Sequence, residues 1–186
     1  MKRIVFGGAF NPPTIAHYEI INYLLDKFPD YELLVMPTNS FYNKNGLAPF
    51  NSRIEMLEIM KKKIDNDRLI ISDLENRDEK FMGTYNTLKE LDHPLFVIGA
   101  DSLNTLSKWI KGPELIKENT FIVFPRPGYD INEILNRKDY KEYKKNFMIL
   151  DDFPEYDISS TQYRNGLEEV VFSEINDYIK KNKLYV

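Results

Sequence analysis

The chain has 186 residues, of which 42% are hydrophobic and 29% charged, a composition that is typical of a globular protein and argues against wholesale disorder. It contains no cysteine and only two histidines, His17 and His93, which excludes a disulfide framework, a cysteine nucleophile and a histidine-rich zinc site, so any metal would rely on oxygen ligands, as Mg²⁺ does. The net charge of −4 argues against a nucleic-acid partner, and since no apolar run approaches the ~20 residues that span a bilayer, we expect a cytoplasmic protein without a membrane partner.

Short apolar runs alternate along the chain with apolar residues at helical spacing. The runs predict strands at residues 4–6, 33–36, 69–71, 95–98, 121–124 and 147–150. The helical spacing predicts helices at 17–28, 51–64, from about 84, and at 167–179, while 129–146 is interpreted as a solvated helix and loop. This alternation predicts one α/β domain over residues 1–186, with a doubly wound, mainly parallel sheet and helices on both faces.

A glycine pair follows the first predicted strand, in the segment Gly7–His17. Glycine at position 8 lets backbone N–H groups approach a phosphate, and a helix that begins near His17 adds a positive dipole end. His17 could donate to a phosphate oxygen, with the Thr14 hydroxyl beside it. The alternative is a tight turn with a histidine that caps or packs on a helix. The spacing matches neither the dinucleotide fingerprint nor a Walker P-loop.

A second polar segment, Ile158–Arg164, contains three consecutive hydroxyl residues, Ser159, Ser160 and Thr161, which are predicted to open a helix. Hydroxyls and free N–H groups at a helix N-terminus, with the Arg164 guanidinium one turn further on, form a cradle for a polyphosphate. The alternative is an ordinary Ser/Thr helix cap with a solvated arginine. Ligands of open parallel sheets bind at the carboxyl ends of the strands, where the main motifs of this chain are expected.

Together the two segments resemble the nucleotidyltransferase superfamily with a Thr/His-x-x-His type motif, and within it the bacterial nicotinate-nucleotide adenylyltransferases. Pieces between them match in order: Pro37, Lys44, Arg53, Met56, Glu75, Thr84, Thr87–Leu88, Ile98–Leu103, Trp109 and Arg126–Gly128. The resemblance implies a Rossmann-like fold. It also implies transfer of the adenylyl group from ATP, with Mg²⁺ on its phosphates, to nicotinate mononucleotide, which yields deamido-NAD and pyrophosphate in NAD biosynthesis.

The resemblance also implies roles for individual residues. The catalytic candidates are His17, Thr14, Lys44 and Arg164. The ATP-binding candidates are Gly8, Phe10, His17, Lys44, Asp101, Ser160, Thr161 and Arg164. The pyridine-nucleotide candidates are Thr84, which could cap a helix, Trp109, which could stack on the ring, and Arg126. No residue is assigned to a metal. The alternatives are a solvated Lys44, an Asp101 that caps a helix and a Trp109 that lies in the core.

Several positions depart from the family pattern: Ala9, Asn11, Thr14, Ala16, Asn43 and Gly83. They leave alternatives open, namely nicotinamide mononucleotide or phosphopantetheine as the acceptor, or a catalytically weak nucleotide-binding module. The expected partners are the small-molecule substrates, and the oligomeric state is open, with a homo-oligomer as one alternative.

Overall fold

The structure is a computed structural model that describes residues 2–39, 46–77 and 83–186. Six strands form one parallel sheet in the order β3-β2-β1-β4-β5-β6. Their bounds are β1 Lys2–Gly8, β2 Tyr31–Pro37, β3 Leu69–Ile71, β4 Leu95–Gly99, β5 Phe121–Phe124 and β6 Phe147–Ile149. The predicted parallel α/β fold is confirmed, and the predicted bounds of β3 and β5 agree with the structure.

Eight α-helices lie in the described ranges. They are α1 Ile15–Lys27, α2 Phe50–Ile64, α3 Thr84–Glu90, α4 Ala100–Leu103, α5 Gly112–Glu118, α6 Ile131–Leu135, α7 Ser160–Arg164 and α8 Ser173–Lys181. Short 3₁₀ helices span Leu74–Asn76, Leu106–Lys108, Lys141–Asn146 and Glu168–Val170. None of these helices has the length and apolar character needed to cross a membrane.

The prediction of one helix over 167–179 is wrong. The chain forms a 3₁₀ turn at Glu168–Val170, then extends at Phe172 (φ −67°, ψ 149°), the N-cap of α8. Val170 and Val171 are buried before this break, and Ile175 and Ile179 are buried after it. Because both elements place apolar residues in the core, their spacing imitates one continuous helix.

The sheet reverses its strand order between β1 and β4. These two strands pair in parallel, with Ile4 opposite Leu95, and β4 pairs in parallel with β5, with Gly99 opposite Phe124. Doubly wound sheets bind ligands beyond the carboxyl ends of the strands at such a reversal. Residues that follow Gly8 and Gly99 are therefore the first to consider for function.

The chain divides into two compact units, and each is described by itself below. The first unit, here called the N/C unit, takes in residues 8–39, 46–77 and 158–186. The second, here called the middle unit, takes in residues 2–7 and 83–157. One domain over residues 1–186 stays a prediction.

Candidate active site

In the N/C unit, the loop after β1 turns sharply at Phe10 and continues through buried residues to Thr14. Phe10 has a φ of 47°, a left-handed conformation that bulky residues rarely adopt. A Cβ added at Gly8 would lie 3.3 Å from the Phe10 ring, and the same ring lies 4.9 Å from the ring of His17, centroid to centroid. Gly8 and Phe10 therefore shape the loop, while their predicted contact with a nucleotide stays a prediction.

Thr14 holds the ring of His17 at the start of α1. The Thr14 backbone N–H donates to His17 Nδ1 at 2.8 Å, and Thr14 Oγ1 lies 2.9 Å from the same nitrogen. Because a backbone N–H can only donate, Nδ1 is the acceptor nitrogen of a neutral imidazole, and this bond assigns the ring proton to Nε2. Thr14 has an exposed fraction of 0%, so in this structure it acts on the histidine ring.

The helix α7 confirms the predicted opening by hydroxyl residues, with Ser159 as its N-cap. Ser159 Oγ accepts from the Gln162 N–H at 3.3 Å, and Gln162 Oε1 accepts from the Ser159 N–H at 2.8 Å, a reciprocal capping box. Ser160 Oγ donates to the Pro12 carbonyl oxygen at 2.7 Å. The second motif is thus bonded directly to the loop of the first.

Arg164 strengthens the same junction from the last position of α7. Its Nη1 donates to the Asn11 carbonyl oxygen at 2.6 Å, and its Nη2 donates to Thr161 Oγ1 at 3.0 Å. Arg164 and Thr161 are both exposed. The structure therefore brings together His17, Thr14, Ser160, Thr161 and Arg164 in one unit, while their roles at a phosphate stay predictions.

Asn11 is a buried junction that the motif analysis did not assign a role. Its Nδ2 donates to the Gly46 carbonyl oxygen at 2.9 Å. Its Oδ1 accepts from the Ala48 N–H at 2.8 Å and from the Tyr185 hydroxyl at 2.8 Å. Burial raises the pKa of Tyr185 above its usual value, which keeps the hydroxyl a donor. Asn11 thus ties the loop to a second loop and to the segment after α8.

Arg53 is a second residue that sequence reasoning left without a role. Its side chain has an exposed fraction of 0%, its Nε donates to the Ala48 carbonyl oxygen at 3.1 Å, and its Nη1 donates to the Ala9 carbonyl oxygen at 2.9 Å. Burial lowers the pKa of this guanidinium. Its Nη2 has no hydrogen-bond partner in the described ranges, so the charge of Arg53 lies under the loop with two carbonyl dipoles as partners.

Lys44 is the one predicted site residue that lies outside the described residues. Its predicted role at the ATP phosphates therefore stays a prediction.

In the middle unit, two predicted residues meet at the ends of neighbouring strands. Arg126 Nε, after β5, lies 3.8 Å from Asp101 Oδ1, after β4. A Cβ at Gly99 would lie 2.5 Å from the same carboxylate oxygen, so the carboxylate folds back over the glycine. The N-cap of α4 is Gly99, and the alternative of Asp101 as that cap is wrong.

Thr84 and Trp109, the other pyridine-site candidates, are brought close through their neighbours. Thr84 is the first residue of α3, and Gly83 (φ 89°) is the N-cap, so the expectation that Thr84 itself caps the helix is wrong. A Cβ at Gly83 would lie 2.9 Å from Ile110 Cβ. Trp109 is half-buried, and its Nε1 donates to Thr105 Oγ1 at 3.3 Å. Glycine at position 83 therefore makes room for the residue next to Trp109.

Tyr140 fixes the segment that leads to Trp109. Its hydroxyl donates to the Leu103 carbonyl oxygen at 2.6 Å and accepts from the Ser107 N–H at 3.1 Å. Tyr140 is only 1% exposed, which makes the prediction of a solvated segment wrong at this residue. The sequence did carry a signal, because Tyr140 is an aromatic residue among charged neighbours. The prediction from apolar runs did not take this single residue into account.

Comparisons with known proteins decide the family. Residues 5–166 match the family model described as cytidylyltransferase-like. The probable nicotinate-nucleotide adenylyltransferase of Acholeplasma laidlawii is 36% identical over 98% of this chain and 96% of its own length, and that of Clostridium acetobutylicum is 36% identical over 100% and 99%. The chain belongs to the nicotinate-nucleotide adenylyltransferase family.

A solved structure of this family agrees with the fold. The Plasmodium falciparum nicotinic acid mononucleotide adenylyltransferase, complexed with NaAD, matches 100% of this chain and 98% of its own with a TM-score of 0.82 and 25% identity. The resemblance inferred from the two motifs is thereby confirmed. Membership of the nicotinate-nucleotide adenylyltransferase family makes the chain an enzyme, a nucleotidyltransferase.

Proposed function

We propose that this chain transfers the adenylyl group of ATP to nicotinate mononucleotide, which forms deamido-NAD and pyrophosphate in NAD biosynthesis. The observation that carries the proposal is the junction of the two motifs, where Ser160 and Arg164 bond to the loop that leads to His17. The acceptor is supported by relatives of that name that match the chain along its length. The whole chain, residues 1–186, is proposed to act as one catalytic domain.

The chemistry requires no covalent intermediate on the enzyme. A 5′-phosphate oxygen of nicotinate mononucleotide attacks the α-phosphorus of ATP, and the bond to the oxygen that bridges to the β-phosphorus breaks. Pyrophosphate leaves with that oxygen. The attacking phosphate carries no proton that must be removed, so a fixed hydrogen-bond donor is more useful than a base.

His17 is proposed to supply that donor. The Thr14 bond to Nδ1 leaves the ring proton on Nε2, from which His17 donates to an α-phosphate oxygen while negative charge accumulates in the transition state. The N-terminus of α1, a helix of 13 residues, adds a positive dipole end at the same place. A ring that is already held in place loses little entropy when the phosphate binds.

Arg164 is proposed to bind the β- and γ-phosphates. Two of its N–H groups hold Asn11 and Thr161, and a guanidinium carries five N–H donors in all, so others can serve the phosphates. Ser160 and Thr161 contribute by fixing the helix and the guanidinium. Lys44 is retained as a further proposed cation.

Mg²⁺ is proposed to enter with ATP. Among the residues that the structure describes, no three His, Asp or Glu side chains are grouped to hold a metal ion. In enzymes that act on nucleoside triphosphates, Mg²⁺ usually keeps several waters and binds the substrate phosphates. We therefore propose that the phosphates of ATP supply most of the ligands of the ion. When bound, the ion neutralises phosphate charge, and the protein residues hold the phosphates themselves.

The middle unit is proposed to bind the pyridine nucleotide. The half-buried indole of Trp109 offers a flat face for the pyridine ring. Thr84 is proposed to contribute from the start of α3, since Gly83 before it packs against Ile110, the residue after Trp109. Asp101 is proposed to bind ribose hydroxyls of ATP and Arg126 the substrate phosphate, and their 3.8 Å contact holds both side chains in place.

The test is pyrophosphate release from ATP and Mg²⁺ with three acceptors in parallel: nicotinate mononucleotide, nicotinamide mononucleotide and phosphopantetheine. We expect a clear preference for nicotinate mononucleotide, and the His17→Ala variant controls for contaminating enzymes. Preference for phosphopantetheine would remove the assignments of Thr84 and Trp109. Binding of ATP without turnover on any acceptor would replace the proposal by a nucleotide-binding module.

A further inference from the structure

A hydroxyl from outside both motifs reaches the loop that precedes His17. Tyr185, in the segment after α8, donates to Asn11 Oδ1 at 2.8 Å. Its ring lies edge-on against the ring of Tyr163 in α7, at a centroid distance of 6.1 Å and an angle of 73°. One side chain therefore contacts the first motif by its hydroxyl and the second motif by its ring.

The hydrogen bonds of Asn11 connect Tyr185 to Arg164, which is proposed to bind phosphate. The Oδ1 atom has two lone pairs, which accept from Ala48 and Tyr185, and Nδ2 donates to Gly46. With its amide held at three points, Asn11 has little freedom to rotate. Its backbone carbonyl is the acceptor for Arg164 Nη1 at 2.6 Å, so the position of Asn11 sets the position of the guanidinium.

We propose that Tyr185 is a positioning residue for the triphosphate site, which acts through Asn11 to hold Arg164 where the β- and γ-phosphates bind. This inference rests on the proposed function, which supplies ATP as the ligand. Tyr185 touches no reacting atom. Removal of the Tyr185 hydroxyl should therefore lower the affinity for ATP and leave the rate of the chemical step unchanged.

The Tyr185→Phe variant isolates the hydroxyl, because the ring contact with Tyr163 remains. Loss of one hydrogen bond in a positioning network weakens ATP binding about three- to tenfold. AMP lacks the β- and γ-phosphates, so its binding should change less than twofold, as should kcat and the KM for nicotinate mononucleotide. The readouts are calorimetric binding of ATP and AMP and steady-state kinetics.

The matched control is Tyr178→Phe in the same unit. Tyr178 is half-buried in α8, and burial raises the pKa of its hydroxyl, so this variant likewise removes a partly buried tyrosine hydroxyl. We expect this variant to bind ATP and AMP like the wild type. An equal loss in the two tyrosine variants would reflect general destabilisation and overturn the proposal.

A double variant tests the route through Arg164. If Tyr185 acts by placing the guanidinium, adding Tyr185→Phe to Arg164→Ala produces no further loss of ATP affinity. Additive losses, or equal losses for ATP and AMP, would overturn the proposal. A wild-type chain that binds ATP but turns over no acceptor would refute the proposed function alone, since the binding comparison still decides the role of Tyr185. A chain that bound no ATP would overturn both.

Discussion

Removal of the Tyr140 hydroxyl should destabilise the middle unit and weaken binding of the pyridine nucleotide together. In Tyr140→Phe the Leu103 carbonyl loses its donor at 2.6 Å and the Ser107 N–H loses its acceptor at 3.1 Å. The hydroxyl lies in a side chain that is 1% exposed, so water has little access to replace it.

The expected magnitude follows from the two groups left without partners. Each such group costs about 1–3 kcal/mol, and with some relaxation the total is about 2–4 kcal/mol. For a chain of this size 1 kcal/mol corresponds to about 2–4 °C in Tm, so the Tm should fall by about 5–15 °C. Since the same bonds fix the segment before Trp109, the KM for nicotinate mononucleotide should rise severalfold while the KM for ATP stays near wild type.

The assay is thermal unfolding by calorimetry, followed by kinetics well below the lower Tm. Tyr143→Phe is the matched control, because Tyr143 is half-buried in the same segment and its hydroxyl has no hydrogen-bond partner among the described residues. A Tyr140→Phe variant whose Tm equalled that of Tyr143→Phe would refute the argument from unsatisfied groups.

Three further predictions concern single side chains. His17→Ala should lower kcat by about 10²–10³-fold, as for loss of a transition-state donor, while His93→Ala should retain it, and equal activities in the two variants would remove His17 from the mechanism. Trp109→Ala should raise the KM for nicotinate mononucleotide without weakening the binding of ATP. A loss of affinity confined to ATP would contradict the stacking of Trp109 on the pyridine ring. The hydrogen bond from Lys63, first among several contacts, lowers the pKa of Glu174 to about 2. Because the folded-state pKa lies below the unfolded value, Glu174 stabilises the protein above about pH 4.5 and the effect is lost towards pH 2. Urea unfolding of Glu174→Gln should show lower stability at pH 7 and no difference near pH 2, and a difference that persisted there would contradict the assignment to this ion pair.

The strands were the most predictable part of the fold. Runs such as 69–71 and 121–124 are apolar along their whole length, and their ends coincide with the strand ends in the structure. The prediction of a helix over 167–179 was wrong because apolar spacing indicates which residues are buried, as it did for the strands. It does not indicate the backbone break at Phe172.

The helix caps show a different limit of sequence reasoning. Asp101 and Thr84 are side chains that often cap helices, yet Gly99 and Gly83 occupy the cap positions. In both places an added Cβ would approach a neighbour at less than 3 Å. Glycine therefore occupies these cap positions because of close packing, which the preferences of residue types for helix caps do not predict.

The two motifs were predictable because each is local, whereas the residues that brace them are distant in sequence. Asn11 and Tyr185 are 174 residues apart, a separation at which no spacing rule operates. Arg53 did leave a signal. It occupies the apolar face of α2 together with the buried Met56, Leu57 and Met60, and a charge on such a face indicates a buried guanidinium with specific partners.

The span of the Asn11–Tyr185 bond has a consequence for synthesis of the chain on the ribosome. At about 5–20 residues per second, roughly 10–35 s separate the emergence of the asparagine from that of the tyrosine that binds it. Strands and helices between them can form during this time, whereas the asparagine amide lacks one of its three partners. The final contacts of Asn11 in the N/C unit therefore wait for Tyr185, and a nascent chain stalled before Tyr185 would carry both motifs without this hydrogen bond.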